Sequence, residues 1–165
     1  MQNTKIFILC AILLTALVVP ATAETVMLFT DRPSGFGDEK SSIHYIEDGI
    51  MEVFFDAGHI IFNSTYQSTE EIVEEKDVFA DYPAFRIAKA GGAMYILTVQ
   101  LRFTEDEEDL LPVAAAYALI DLETEANLAG GTVMLERPDD WKEKEPYELV
   151  QGMGRRLGRE ALKGL

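Results

Sequence analysis

The side chains that could do chemistry in this chain are few and scattered. There are two histidines, His44 and His59. A zinc site built on them would need carboxylates to complete it, and no H-x-x-x-H or similar spacing is present. The serines Ser34, Ser41, Ser42, Ser64 and Ser68 lie outside any G-x-S-x-G elbow, so none is marked as a nucleophile. Five consecutive acids, Glu105 to Asp109, lack the alternating donors and central glycine of a calcium loop and read as a solvated turn. Asn63-Ser64-Thr65 fits a glycosylation sequon, which matters only in a eukaryotic secretory pathway. These patterns predict no catalytic constellation, no metal site and no cofactor site.

Two groups remain as candidates for binding. Ser34-Gly35-Phe36-Gly37 is rich in glycine but lacks the lysine and full spacing of a phosphate loop. It lies in the loop 31–40 after the first strand, and open α/β sheets take ligands beyond the carboxyl ends of their strands. Asp31, Arg32 and Phe36 are its candidate contacts. The second group is Arg155, Arg156, Arg159 and Lys163, the one basic cluster of an acidic chain. Cations at the carboxyl end of a helix offset its dipole and pair with neighbouring acids; docking of an acidic partner is the alternative reading.

The first residues place the protein outside the cytoplasm. Lys5 is followed by an apolar run from Ile6 to Val19, then Pro20 and Ala21-Thr22-Ala23. A basic start, an apolar middle and small residues at an A-x-A site form an export signal. The run is about 14 residues, short of the roughly 20 that span a bilayer. Cleavage is expected after Ala23, leaving residues 24–165 as a single domain with no integral membrane segment. Cys10 lies within the signal, so the exported part holds no disulfide and no lipidated cysteine. It carries thirteen basic against 29 acidic residues, a net charge of −16. Such a field repels nucleic acid and anionic lipid and favours solubility.

Hydrophobic periodicity gives the elements that must position these groups. Val26-Met27-Leu28-Phe29 is a short buried strand. Ile43, Ile46, Ile50, Val53, Phe54 and Ala57 fall at helical spacing, with Glu47, Asp48 and Glu52 off the stripe, and Gly58 ends the helix. A second strand covers 59–63. Ser68 and Glu71 form a capping pair opening a helical region, interrupted near Pro83, that Gly91-Gly92 stops. The strand 93–103 is apolar on both faces at its start and polar on one face at its end. Strands 113–122 and 128–136 follow as a hairpin, the alanines of the first indicating close packing on a neighbour. Pro146 opens a last helix with Tyr147, Val150, Met153, Leu157 and Ala161 on one stripe, and Gly154 and Gly158 predict a close approach to the sheet. The order β-α-β-α-β-β-β-α predicts an α/β fold, a mixed parallel and antiparallel sheet covered by helices.

That order and three local patterns resemble a known family. The patterns are a helix ending in Gly58 directly before a strand, the passage Ala88 to Leu97 in which Gly91-Gly92-Ala93 leads into a strand, and Tyr117 to Thr124, an apolar strand closing on an Asp-x-x-Thr turn. They are similar to the α/β domain of CsgG-like secretion-channel proteins, the TolB amino-terminal domain and the outer-membrane activators of penicillin-binding proteins. The resemblance implies a non-enzymatic periplasmic or secreted accessory protein that binds a protein of the bacterial envelope. The channel proteins and activators are lipoproteins and this chain lacks their cysteine, so pore formation is not implied. A small-ligand site in the loop 31–40 and a subunit of an oligomeric secretion assembly are the alternatives.

Overall fold

The computed structural model describes residues 23–31, 42–63, 83–103, 111–136 and 145–165. They form five strands and three helices: β1 (Thr25–Asp31), α1 (Ser42–Asp56), β2 (Ile60–Asn63), α2 (Pro83–Ala90), β3 (Tyr95–Arg102), β4 (Ala114–Asp121), β5 (Asn127–Met134) and α3 (Pro146–Leu162). The strands lie in one sheet in the order β2-β1-β3-β4-β5. β1 pairs in parallel with β2 and β3, and β4 pairs antiparallel with β3 and β5. The fold is the mixed α/β sheet that the periodicity predicts.

Two helices end by the same device. His59 N–H donates to Phe54 O and Gly58 N–H to Phe55 O at the end of α1. Ala93 N–H donates to Ala88 O and Gly92 N–H to Lys89 O at the end of α2. Both are Schellman closures, which need a left-handed residue at the turn. Gly58 and Gly92 supply it, with φ of 87° and 76°. Each closure throws the chain straight into a parallel strand. At the start of α3, Pro146 takes the first helical position, where a missing N–H costs nothing.

The sheet buries its two faces unequally. On one side Val26, Leu28, Leu97, Val99, Ala115, Leu119 and Val133 meet Ile43, Ile46, Ile50 and Phe54 of α1 and Val150, Met153, Leu157 and Ala161 of α3. On the other side, among the described residues, Met27, Phe29, Ile96, Ile120 and Leu122 meet Ala84, Phe85 and Ala88 of the eight-residue α2. Among the described residues, eighteen buried apolar residues lie on the first face and eight on the second, so the described core sits mainly on the first.

The glycines of α3 act differently from expectation. A methyl on Gly154 would overlap the carbonyl of Ile46, and one on Gly158 would stand 3.1 Å from Cβ of Val53. Both partners belong to α1. On α1, a methyl on Gly49 would overlap Gln151 O and lie 2.9 Å from the Arg155 nitrogen. The close approach is therefore helix to helix, with the two backbones in contact, and not helix to sheet. Glu47 also departs from its expected place. It is only 2 % exposed, tucked where α1 passes β2, and Asn63 Nδ2 donates to its Oε2 at 3.3 Å.

Candidate functional site: the open half of the sheet

The weakly covered face leaves a groove. α2 lies over one part of the sheet, and beyond it the β3–β4 surface is exposed. Strand alternation puts Thr98 and Gln100 of β3 and Ala116, Ala118 and Ile120 of β4 on this side, because their neighbours Leu97, Val99, Ala115 and Leu119 point to the opposite core. The groove holds about 420 Å³. Its apolar walls are Phe29, Phe85 and Ile120, its floor Ala116 and Ala118, and its polar margin Asp31, Gln100, Glu125 and Asn127. The alanines divide: Ala114 and Ala115 are buried as expected, while Ala116 and Ala118 are half-buried and floor the groove, Ala118 also packing against the core of that side.

The turn after β4 shapes one end of this groove. Oδ1 of Asp121 accepts from the backbone N–H groups of Glu123 and Thr124, both at 2.8 Å. These bonds favour the ionised carboxylate, the Thr124 amide most, and hold Asp121 below the usual carboxylate range. Glu125 follows with φ of 60°, a left-handed position unusual for a residue with a side chain, and pairs with Lys89 of α2 at 3.6 Å.

The first sequence candidate meets this groove in part. Asp31 ends β1 and lies on the groove margin, at the carboxyl end of parallel strands. Arg32, Phe36 and the rest of the glycine loop lie outside the described residues, as do Ser64, Ser68, Glu71, Glu105 to Asp109 and the export signal. The second candidate, on α3, is largely engaged within the protein. Arg155 Nε bonds Glu52 Oε2 at 2.8 Å, Arg156 pairs with Glu136 and donates to Met134 O, and Lys163 bonds Glu160 at 2.5 Å. Arg159 is exposed on the same shallow surface as Glu148 and Gly152.

The two histidines stand apart. His44 Nδ1 is 3.6 Å from Glu47 Oε2. His59 Nδ1 is 3.5 Å from Glu24 Oε2 and its ring meets the edge of Phe54 at 5.9 Å. Tyr95 OH donates to the other Glu24 oxygen at 3.5 Å. Burial, then the charges of Glu24 and Asp121, push the Tyr95 phenol up. This cluster sits at the amino end of the parallel strands, opposite the end where Asp31 meets the groove.

No family model matches the chain, and no curated protein matches it. Solved structures do. The PelC dodecamer from Paraburkholderia phytofirmans is 15 % identical over 86 % of this chain and 86 % of that one, with a TM-score of 0.49. TolB from Acinetobacter baumannii is 12 % identical over 88 % of this chain and 29 % of that one, TM-score 0.46. Lipoprotein GNA1162 from Neisseria meningitidis is 10 % identical over 86 % of this chain and 99 % of that one, TM-score 0.47. The chain is similar to them in fold. At these TM-scores and identities the likeness assigns this chain no family, partner, ligand or assembly. Among the described residues, no helix is long and apolar enough to cross a membrane.

The groove was missed in the sequence. The strand pattern carried no separate signal for it, since an alanine suits a packed face and an open floor equally.

Proposed function

We propose that this chain is an exported accessory protein of a bacterial cell envelope that binds another protein and catalyses no reaction. The observation that carries the reading is the open half of the sheet, an apolar trough of about 420 Å³ between Phe85 and Ile120. Exposed apolar concavities with a few polar groups at the margin are the ordinary form of a binding site. The margin contributes Asp31 and Glu125, and the chain is strongly acidic, so the contacting segment of the partner is apolar with basic flanks. The export signal and the likeness to envelope proteins read from Ala88 to Leu97 and Tyr117 to Thr124 support the location.

The test is photo-crosslinking in the native envelope from position 98 or 116, each on the groove. A discrete protein adduct is expected, lost on Ala118→Trp, which fills the trough, while the melting temperature stays unchanged. Absence of any adduct from both positions, together with a turnover that disappears in Asp31→Asn, would overturn the reading. A second reading, a small ligand in the same groove, is favoured by its volume, which falls in the range of small-molecule sites. A ligand that binds the native state raises the melting temperature, and Ala118→Trp removes that rise.

A further inference from the structure

The sheet has one long edge with no neighbouring strand among the described residues, β5. Which of its backbone groups are free follows from the ladder. Asp121 N–H donates to Ala126 O and Leu135 N–H to Val113 O, so the odd-numbered residues of β4 turn toward β5. Their register partners are Ala129, Gly131 and Val133. Antiparallel strands alternate, so Gly130, Thr132 and Met134 turn their N–H and C=O groups outward. The Met134 carbonyl accepts from Arg156 at 3.0 Å. The open stretch is therefore Gly130 to Thr132, centred on Gly131.

This edge is unprotected in an unusual way. Natural edge strands are kept apart by charges, prolines or shortness. Asn127 to Met134 contains no charge and no proline, in a chain of which 26 % is charged. The opposite edge, β2, is only four residues long. Leu128 and Met134 flank the open stretch with 38 % and 57 % of their surface exposed.

We propose that β5 pairs antiparallel with β5 of a second copy of this chain, about a two-fold axis through Gly131. In that register Gly130 faces Thr132 of the other copy twice, giving four N–H···O bonds, and Leu128 faces Met134 twice. Gly131 faces Gly131, so no side chain holds the strands apart. Charge limits where two copies can meet. Two chains of net charge −15 repel wherever their acids meet, and β5 is the eight-residue edge without one. The acids nearest its ends, Glu125 and Glu136, are paired with Lys89 and Arg156. The proposal does not rest on the groove.

The experiment is sedimentation of the purified protein over a range of concentrations, with three variants. The native chain sediments as a dimer. Thr132→Pro removes an outward donor and leaves the inward bonds of Gly131 and Val133, and it weakens dimerisation at least about tenfold. Thr132→Asp, which keeps the backbone donor and adds like charge beside the axis, weakens it as well and serves if the proline variant fails to fold. In the exported chain, residues 24–165, which contains no other cysteine, Gly131→Cys places two thiols on a non-hydrogen-bonded pair about 4.5 Å apart at Cα, within disulfide range, and mild oxidation links the copies. A monomer at all concentrations overturns the proposal. So does a dimer that survives both Thr132 variants and does not link through position 131, and so does linkage of position 131 to a different polypeptide in place of itself.

Discussion

The four helical glycines form a graded test of how α1 and α3 are held together. Replacing glycine by alanine inside a helix gains about 0.8–1 kcal/mol, because glycine loses more backbone freedom on folding. At Gly152 a methyl meets nothing within 4 Å, so Gly152→Ala keeps that gain. At Gly49 and Gly154 the methyl meets the backbone of the facing helix, Gln151 and Arg155 in one case and Ile46 in the other. A carbonyl fixed in a helical ladder cannot rotate away, so the helices must separate, and overpacking of one methyl costs about 1–3 kcal/mol or more. The net change for Gly49→Ala and for Gly154→Ala is a loss of roughly 1–2 kcal/mol once the propensity gain is subtracted. Gly158 is intermediate, since its nearest neighbour, Cβ of Val53 at 3.1 Å, has to give by only a few tenths of an ångström, and the two terms nearly cancel there. For a domain of this size a kcal/mol moves the melting temperature by about 2–4 °C. Thermal and urea unfolding by circular dichroism should therefore rank Gly152→Ala above native, Gly158→Ala near native, and Gly49→Ala and Gly154→Ala below. The double variant Gly49→Ala/Gly154→Ala should lose less than the sum, because the first methyl already parts the helices. A Gly49→Ala protein as stable as Gly152→Ala would refute the reasoning.

Acid unfolding should report Asp121. Its carboxyl is depressed in the folded protein, so the stability it contributes is full above the unfolded value near pH 4 and is lost as pH falls through the folded one. Asp121→Asn should flatten the dependence of urea midpoints on pH below about pH 4, leaving stability at pH 7 lower than native. Tyr95 acts at the other extreme: its phenol is raised, so its contribution is present below the unfolded value near pH 10 and fades as pH climbs through the folded one, and Tyr95→Phe should remove that alkaline loss. Glu125→Gly should stabilise or leave stability unchanged by up to about 1 kcal/mol, because relief of the left-handed backbone exceeds the exposed pair with Lys89. Glu47→Met should be tolerated within about 1 kcal/mol in urea unfolding, since an apolar side chain of similar volume replaces a buried carboxylate together with its desolvation cost.

Much of the fold was legible because periodicity records burial directly. Ile43, Ile46, Ile50 and Phe54 mark the inner stripe of α1, and the fading of β3 from Ile96 and Leu97 to exposed Gln100 and Arg102 marks where that strand leaves the core. Gly58 and Gly92 were legible for a different reason: a left-handed closure has one preferred residue, so chemistry replaced pattern. What a stripe cannot say is which element lies opposite. Gly154 and Gly158 mark a close approach in the sequence, but the partner was α1, which lies a hundred residues earlier in the chain. Glu47 shows a related blind spot. It is polar and beside the stripe, yet the corner between α1 and β2 encloses it because Asn63 offers a donor there. The groove escaped because alanine is equally compatible with tight packing and with an open floor.

The unequal faces also explain how one small sheet can offer a binding surface and still be stable. Backbone contact between α1 and α3 through Gly49 and Gly154 fixes those two helices against each other, and eighteen buried apolar residues then fix both to the sheet. Strand geometry is thus set from one side. On the other side α2 covers Met27, Phe29 and Ile96, and Thr98, Ala116 and Ala118 remain only half-buried. Alternation makes the division local: Ala115 and Ala116 are consecutive, and one serves the core while the other lines the groove. A change at Ala116 or Ala118 should then alter binding with little effect on unfolding, whereas the same change at Ala115 should unfold the sheet, and that contrast follows from a backbone period of two.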